Sequence, residues 1–165
     1  MNTTILRRVG LACVLALVLA LPARAQSPAP PKLQGTIHDN ADALGANWVI
    51  SGEWALTMQG GSGKADFFAS LTMKQNGPVP GAPHTHHLSL KQAVVTALAN
   101  GYSITGDAAI AGNGSLSNPY TGSAVTIEVT GGADLLSNIR VIFHGEQAVG
   151  HFGADPLNGV VVYRP

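Results

Sequence analysis

From Trp54 to Met58, and again from Ala65 to Met73, apolar side chains fall on alternate positions. Trp54, Leu56 and Met58 share one side, with Glu53, Thr57 and Gln59 opposite. Ala65, Phe67, Ala69, Leu71 and Met73 share one side in the same way, with Asp66, Ser70, Thr72 and Lys74 (and Phe68) opposite. Successive side chains of a strand point to opposite faces, so a period of two marks strands buried on one face. Gly60-Gly61-Ser62-Gly63 lies between the two runs and supplies turn geometry, which makes the pair a hairpin.

The same period resumes over His84 to Leu90 and Gly101 to Ile110. Further strands are expected at Ala124–Thr130, Asn138–His144 and Gly159–Tyr163, with a weaker one at Gln147–Phe152. Lys91–Asn100 is the best helix candidate, although Val94, Val95 and Thr96 are β-branched and also suit a strand. Asn76–Pro83 and Ala111–Gly122 are rich in Gly, Pro, Asn and Ser and read as loops. About eight short strands at this spacing predict an all-β domain. A small antiparallel β-barrel is favoured, with a β-sandwich as the alternative. The last strand ends close to Pro165 and could pair with the first, which would close the sheet and remove its edges.

The N-terminus has the layout of a cleaved signal peptide. Arg7 and Arg8 precede an apolar run from Val9 to Leu21, Pro22 ends it, and Ala23-Arg24-Ala25 offers small residues for cleavage after Ala25. The run is shorter than the roughly 20 residues of a stable membrane anchor. Cys13 sits too early in the run for a lipidation site. The expected organisation is therefore a signal peptide over 1–25, a Pro-rich leader and irregular segment over 26–46, and a single all-β domain over 47–165. The expected location is periplasmic or secreted. The single Cys leaves with the signal peptide, so the mature chain has no disulfide and no thiolate ligand. Three of the nine Lys and Arg residues leave as well, while all nine Asp and Glu remain.

That weakly acidic balance, with no basic cluster, argues against nucleic acid and anionic membrane surfaces as partners. Charged residues make up 11% of the chain, which gives little electrostatic protection against self-association. Aromatic residues are only 5%, too few for the two girdles of a membrane barrel. Several of the expected strands are also shorter than the roughly 9–11 residues needed to span a bilayer. No membrane insertion is expected after signal cleavage.

The segment richest in chemistry is His84-Thr85-His86-His87. Strand alternation places His84 and His86 on one face and His87 on the other. Two imidazoles so placed can reach one transition-metal ion, and Zn or Cu suits nitrogen donors without thiolate. A third ligand is needed, and His151 in Gly150-His151-Phe152-Gly153 is the best candidate. His144, Asp155, Glu146 and His38 are further options. Other chemistries lack support: no G-x-S-x-G elbow is present, and Glu53, Glu128 and Glu146 are not bracketed as a catalytic pair. Gly60–Lys64 lacks the spacing and following helix of a P-loop, and Asn113-Gly114-Ser115 matches a glycosylation sequon.

Gly52-Glu53-Trp54 resembles the G-x-W at the start of the first strand of lipocalin-like barrels, though lipocalins usually carry disulfides and this mature chain cannot. The resemblance implies a Trp closing one end of a barrel over an apolar interior. Trp54, Phe67 and Ile104, with Met58, Leu71 and Met73, would then line a cavity for a small apolar ligand.

Three functions follow from the sequence. The first is an exported barrel that binds a transition metal through its His cluster. The second is a ligand-binding barrel, or a non-metal isomerase or cyclase built on such a cavity. The third is a structural module that self-associates as a homo-oligomer. No catalytic residue is assigned, and whether the protein is an enzyme stays open.

Overall fold

The computed structural model describes residues 32–77, 81–112, 120–132 and 135–163. The expected signal peptide and nearly all of the expected Pro-rich leader lie outside these residues, as does the sequon. Eight strands form: β1 (Lys32–Ala43), β2 (Ala46–Gln59), β3 (Lys64–Gln75), β4 (His84–Leu98), β5 (Gly101–Gly112), β6 (Tyr120–Gly132), β7 (Leu135–Phe143) and β8 (Leu157–Tyr163), with one helix, α1 (Glu146–Phe152), between β7 and β8. Each strand pairs antiparallel with the next, and β8 returns to β1 to close a barrel. The barrel is thus the architecture adopted, and the sandwich is not.

Closure follows from side-chain alternation. Inward positions carry Ile37, Ile50, Leu56, Leu71, Leu88, Leu90, Ile110 and Ile127, all at most 1% exposed. Outward positions carry Thr36, Glu53, Lys74, Lys91, Asp107 and Arg140, all exposed. This apolar-in, polar-out arrangement is the inverse of a membrane barrel, whose outer band must face lipid. The expectation of short strands is corrected: β1 to β6 run from 12 to 15 residues. Their apolar interior and mainly polar outer faces, on which Phe68, Val94, Val160 and Val162 are the exposed exceptions of note, differ from the pattern of a lipid-facing barrel. No described helix is long and apolar enough to cross a membrane.

Three local expectations are corrected. The segment expected to be irregular up to residue 46 contains β1, whose inward positions Leu33, Ile37, Ala41 and Ala43 are buried. Gly35 and the polar run Asp39-Asn40 interrupt the apolar pattern there, which hides the strand in the sequence. Lys91–Asn100 is not a helix but the second half of β4. A bulge between Leu90 and Val94 lets the strand continue: Gln92 takes a positive φ of 55° and its N–H donates to Asp66 Oδ1 at 2.9 Å. Gln147–Phe152 is not a strand but helix α1.

Barrel closure places Gly35 and Gly159, which face each other's strands at the β1–β8 seam, under steric demand. Gly35 pairs with Trp54 on β2 and with Val161 on β8. A Cβ at Gly35 would collide with the Val160 carbonyl and would lie 2.9 Å from the Trp54 indole. The indole therefore lies against the space left by glycine, and it stacks on Phe67 at 6.2 Å between centroids.

Helix α1 caps one end of the barrel. Ala148, His151 and Phe152 are its buried residues, and the i, i+3, i+4 spacing puts all three on one face. Leu44 N–H, in the β1–β2 turn, donates to the Gly150 carbonyl at 3.2 Å. Gly153 ends the helix with φ 98°, packed against Ala41 and the Asp42 carbonyl. Seven residues cannot hold a helix alone in water, so these tertiary contacts hold it.

Candidate metal centre

The start of β4 and the end of α1 meet at this capped end. His84 and His86 project inward from β4 one pleat apart, and His151 descends from the helix. His151 Nε2 lies 2.7 Å from His86 Nε2 and 3.3 Å from His84 Nε2. One nitrogen from each of the three rings falls within 4.8 Å of the others. The three residues singled out as ligands from the sequence are therefore brought together. Metal–nitrogen bonds of about 2.0–2.1 Å at tetrahedral angles place donor atoms roughly 3.3–3.4 Å apart. The His84–His151 pair already has that spacing, and His86 and His151 need to part by about 0.6 Å to reach it.

Each ring is held by different contacts. His84 is partly buried, packs edge-on against Trp48 at 5.3 Å, and its Nδ1 lies 3.3 Å from the Ala82 carbonyl. A carbonyl only accepts, so this contact suits the tautomer with its proton on Nδ1 and its lone pair on Nε2, the usual backing of a ligating imidazole. Trp48 is itself fixed by its Nε1–H, which donates to the Ala43 carbonyl at 3.0 Å. His86 is 1% exposed and meets Phe152 edge-on at 5.2 Å, while Phe152 stacks on Phe143 at 4.5 Å. His151 is 3% exposed. Among the described residues, His86 Nδ1 is buried without a hydrogen-bond partner, so there this ring lacks the backing that His84 has.

Burial pushes the imidazoles of both His86 and His151 down to about 4. Charge repulsion within the cluster adds to this, from His151, His84 and His87 on His86 and from His84 on His151. Both rings are therefore neutral at neutral pH, the form in which imidazole binds a metal. No carboxylate joins the cluster among the described residues.

The remaining histidines stand apart. His87 is exposed on the outer face, as alternation predicts, and stacks on Phe68 at 6.0 Å. His144 is exposed and lies 2.8 Å from Thr126 Oγ1, and His38 is exposed on β1. Glu146 and Asp155 are exposed as well. Trp54, Phe67 and Ile104, the expected cavity residues, are each at most 2% exposed and belong to one hydrophobic cluster with Leu71 and Met73.

Sequence reasoning missed Trp48, Phe143 and Phe152 as the aromatic frame of the site. The signal for Phe152 was its place beside His151, but the strand expected there pointed it to the opposite face from His151. A helix instead puts the two adjacent residues on one buried face.

The fold and site define a closed eight-stranded antiparallel barrel with a buried three-histidine cluster under a helical cap. Comparison of the chain with protein-family models, with curated proteins and with solved structures finds no match.

Proposed function

We propose that this protein is an exported barrel that binds one transition-metal ion, Zn or Cu, through Nε2 of His84, His86 and His151. The convergence of three imidazole nitrogens from two separate elements carries the reading. Without an ion, His151 Nε2 lies at hydrogen-bond distance from Nε2 of both other rings, so that one nitrogen of each pair must carry a proton. A single ion would take up the Nε2 lone pairs of all three. The donor set fits the metals: neutral nitrogens suit Zn and Cu, and no hard carboxylate favours Mg or Ca. Three protein ligands leave a further coordination position for a small molecule or another side chain. The signal-like N-terminus supports a working place outside the cytoplasm, in the periplasm or the medium.

Equilibrium dialysis of the tag-free protein against Zn and Cu ions, followed by elemental analysis, tests this reading. One retained ion per chain, lost in His86→Ala, is the expected result. No retained ion in the wild type would sink it.

A further inference from the structure

A fourth potential ligand faces the cluster across the sheet. Met73 on β3 is the Cα partner of His84 on β4, and Leu71 is the partner of His86. Met73 points inward and is 0% exposed. Directly opposed residues of antiparallel strands have Cβ atoms about 4.5–5.5 Å apart, and methionine has three rotatable bonds with which to aim its sulfur.

The chemistry around the cluster points the same way. Imidazole binds a metal as an uncharged ligand, and no carboxylate stands among the three histidines within the described residues. The neighbouring side chains are Trp48, Phe152, Leu71 and Met73. An ion bound there keeps its full formal charge in apolar surroundings, and the cost of that burial rises steeply with charge. Among the described residues, no acceptor meets His86 Nδ1, so none of them strengthens its imidazole as a donor toward a dication. A monovalent, soft ion lessens both penalties, and a thioether is a ligand that favours it.

We infer that the resident ion is Cu(I), held by the three histidines with the Met73 thioether as the fourth ligand. This rests on the metal-binding reading above and goes further by fixing the ion's charge and its sulfur ligand. Met58, the other methionine of the barrel, lies at the far end of β2, next to the turn into β3, and does not compete for the role.

Anaerobic competition of the full-length chain against a Cu(I) chelator, paired with X-ray absorption at the copper edge, tests the inference. Wild type is expected to bind one Cu(I) with a sulfur neighbour among the ligands. Met73→Leu conserves volume, so the barrel should fold. The variant is expected to lose the sulfur signal and weaken Cu(I) affinity by roughly tenfold or more, while Zn(II) affinity changes little. Cu(I) held by nitrogen alone, or an affinity unchanged in Met73→Leu, overturns the inference and leaves the three-histidine site standing if Zn(II) or Cu(II) still binds. Failure to bind any of these ions overturns both.

Discussion

The Nε2 atoms of His86 and His151 stand 2.7 Å apart although 65 residues separate them in the chain. One ring rides on strand β4 and the other on the helix that caps the barrel. The contact therefore exists only if the barrel has closed and the cap has docked. An ion held by this cluster would couple binding to folding through it, since a ligand that binds only the folded form stabilises it by about 2.7 kcal/mol at a hundredfold excess over Kd.

Strand register makes the first prediction. His86 faces the cluster and His87 faces solvent. His86→Ala is expected to remove metal binding, whereas His87→Ala is expected to leave the Kd within about twofold, as for a typical exposed substitution. Titrations of the two variants side by side check this. Equal losses in both would mean that the register of β4 is wrong.

The helical cap makes the second. Phe152 is fully buried between Phe143 and His86. Phe152→Ala is expected to cost about 3–5 kcal/mol in chemical denaturation, the scale for emptying an aromatic site. It should also weaken metal binding, because the cap that carries His151 loses its anchor. A stable variant with unchanged affinity would show that the cap does not position the site.

Acid sensitivity is the third. An unfolded histidine takes up its proton near pH 6.5, whereas His86 and His151 in the folded chain do so only near 4. Between these values the unfolded state binds more protons, so the stability of the metal-free protein should fall as pH drops from about 6.5 to about 4. Below about 4 these two groups are protonated in both states and add no further loss. Denaturation midpoints measured across this range, in wild type and in a His86→Leu/His151→Leu double variant, check the sign. The double variant should show a flatter profile, and an equal slope would assign the acid sensitivity to other groups.

Closure of the barrel gives the fourth. Gly35→Ala would drive a methyl group into the Val160 carbonyl and the Trp54 indole. The expected cost is at least about 3 kcal/mol, the upper end for overpacking, because the obstructing atom is backbone. Trp fluorescence during urea unfolding reads both the stability and the displacement of the indole. A neutral Gly35→Ala would show that β1 and β8 are not so closely paired.

Much of this was legible in the sequence, for reasons that individual residues make plain. Alternation through Trp54, Leu56, Phe67, Leu71 and Met73 specified inward and outward faces, because one face of each strand is core. The same alternation separated His84 and His86 from His87. The count of eight strands came out right through two errors that offset one another. β1 was hidden by Gly35 and the polar pair Asp39-Asn40, whose roles are set by β8: Gly35 lies against Val160, and Asp39 Oδ2 accepts hydrogen bonds from Asn158 N and Nδ2 at 2.8 Å. The Gln147–Phe152 segment is instead α1, too short to show a helical period and held by contacts with Leu44, far off in sequence, and with Phe143 at the end of β7. In the sequence, the flanking glycines are what make His151 a candidate ligand. Their actual work is to meet the β1–β2 turn at Gly150 and to end the helix at Gly153. The place of Met73 opposite His84 depends on the β3–β4 register, which the loop between the strands does not reveal.

The most direct test of the central claim follows all six histidines at once. Nitrogen-detected NMR of the imidazoles, before and after addition of one equivalent of a diamagnetic ion, Zn(II) or Cu(I), reports which rings bind. The account predicts large Nε2 shifts for His84, His86 and His151, and unshifted His38, His87 and His144. Ion-induced shifts at His38, His87 or His144 in place of these three, or no shift at any ring, would contradict it.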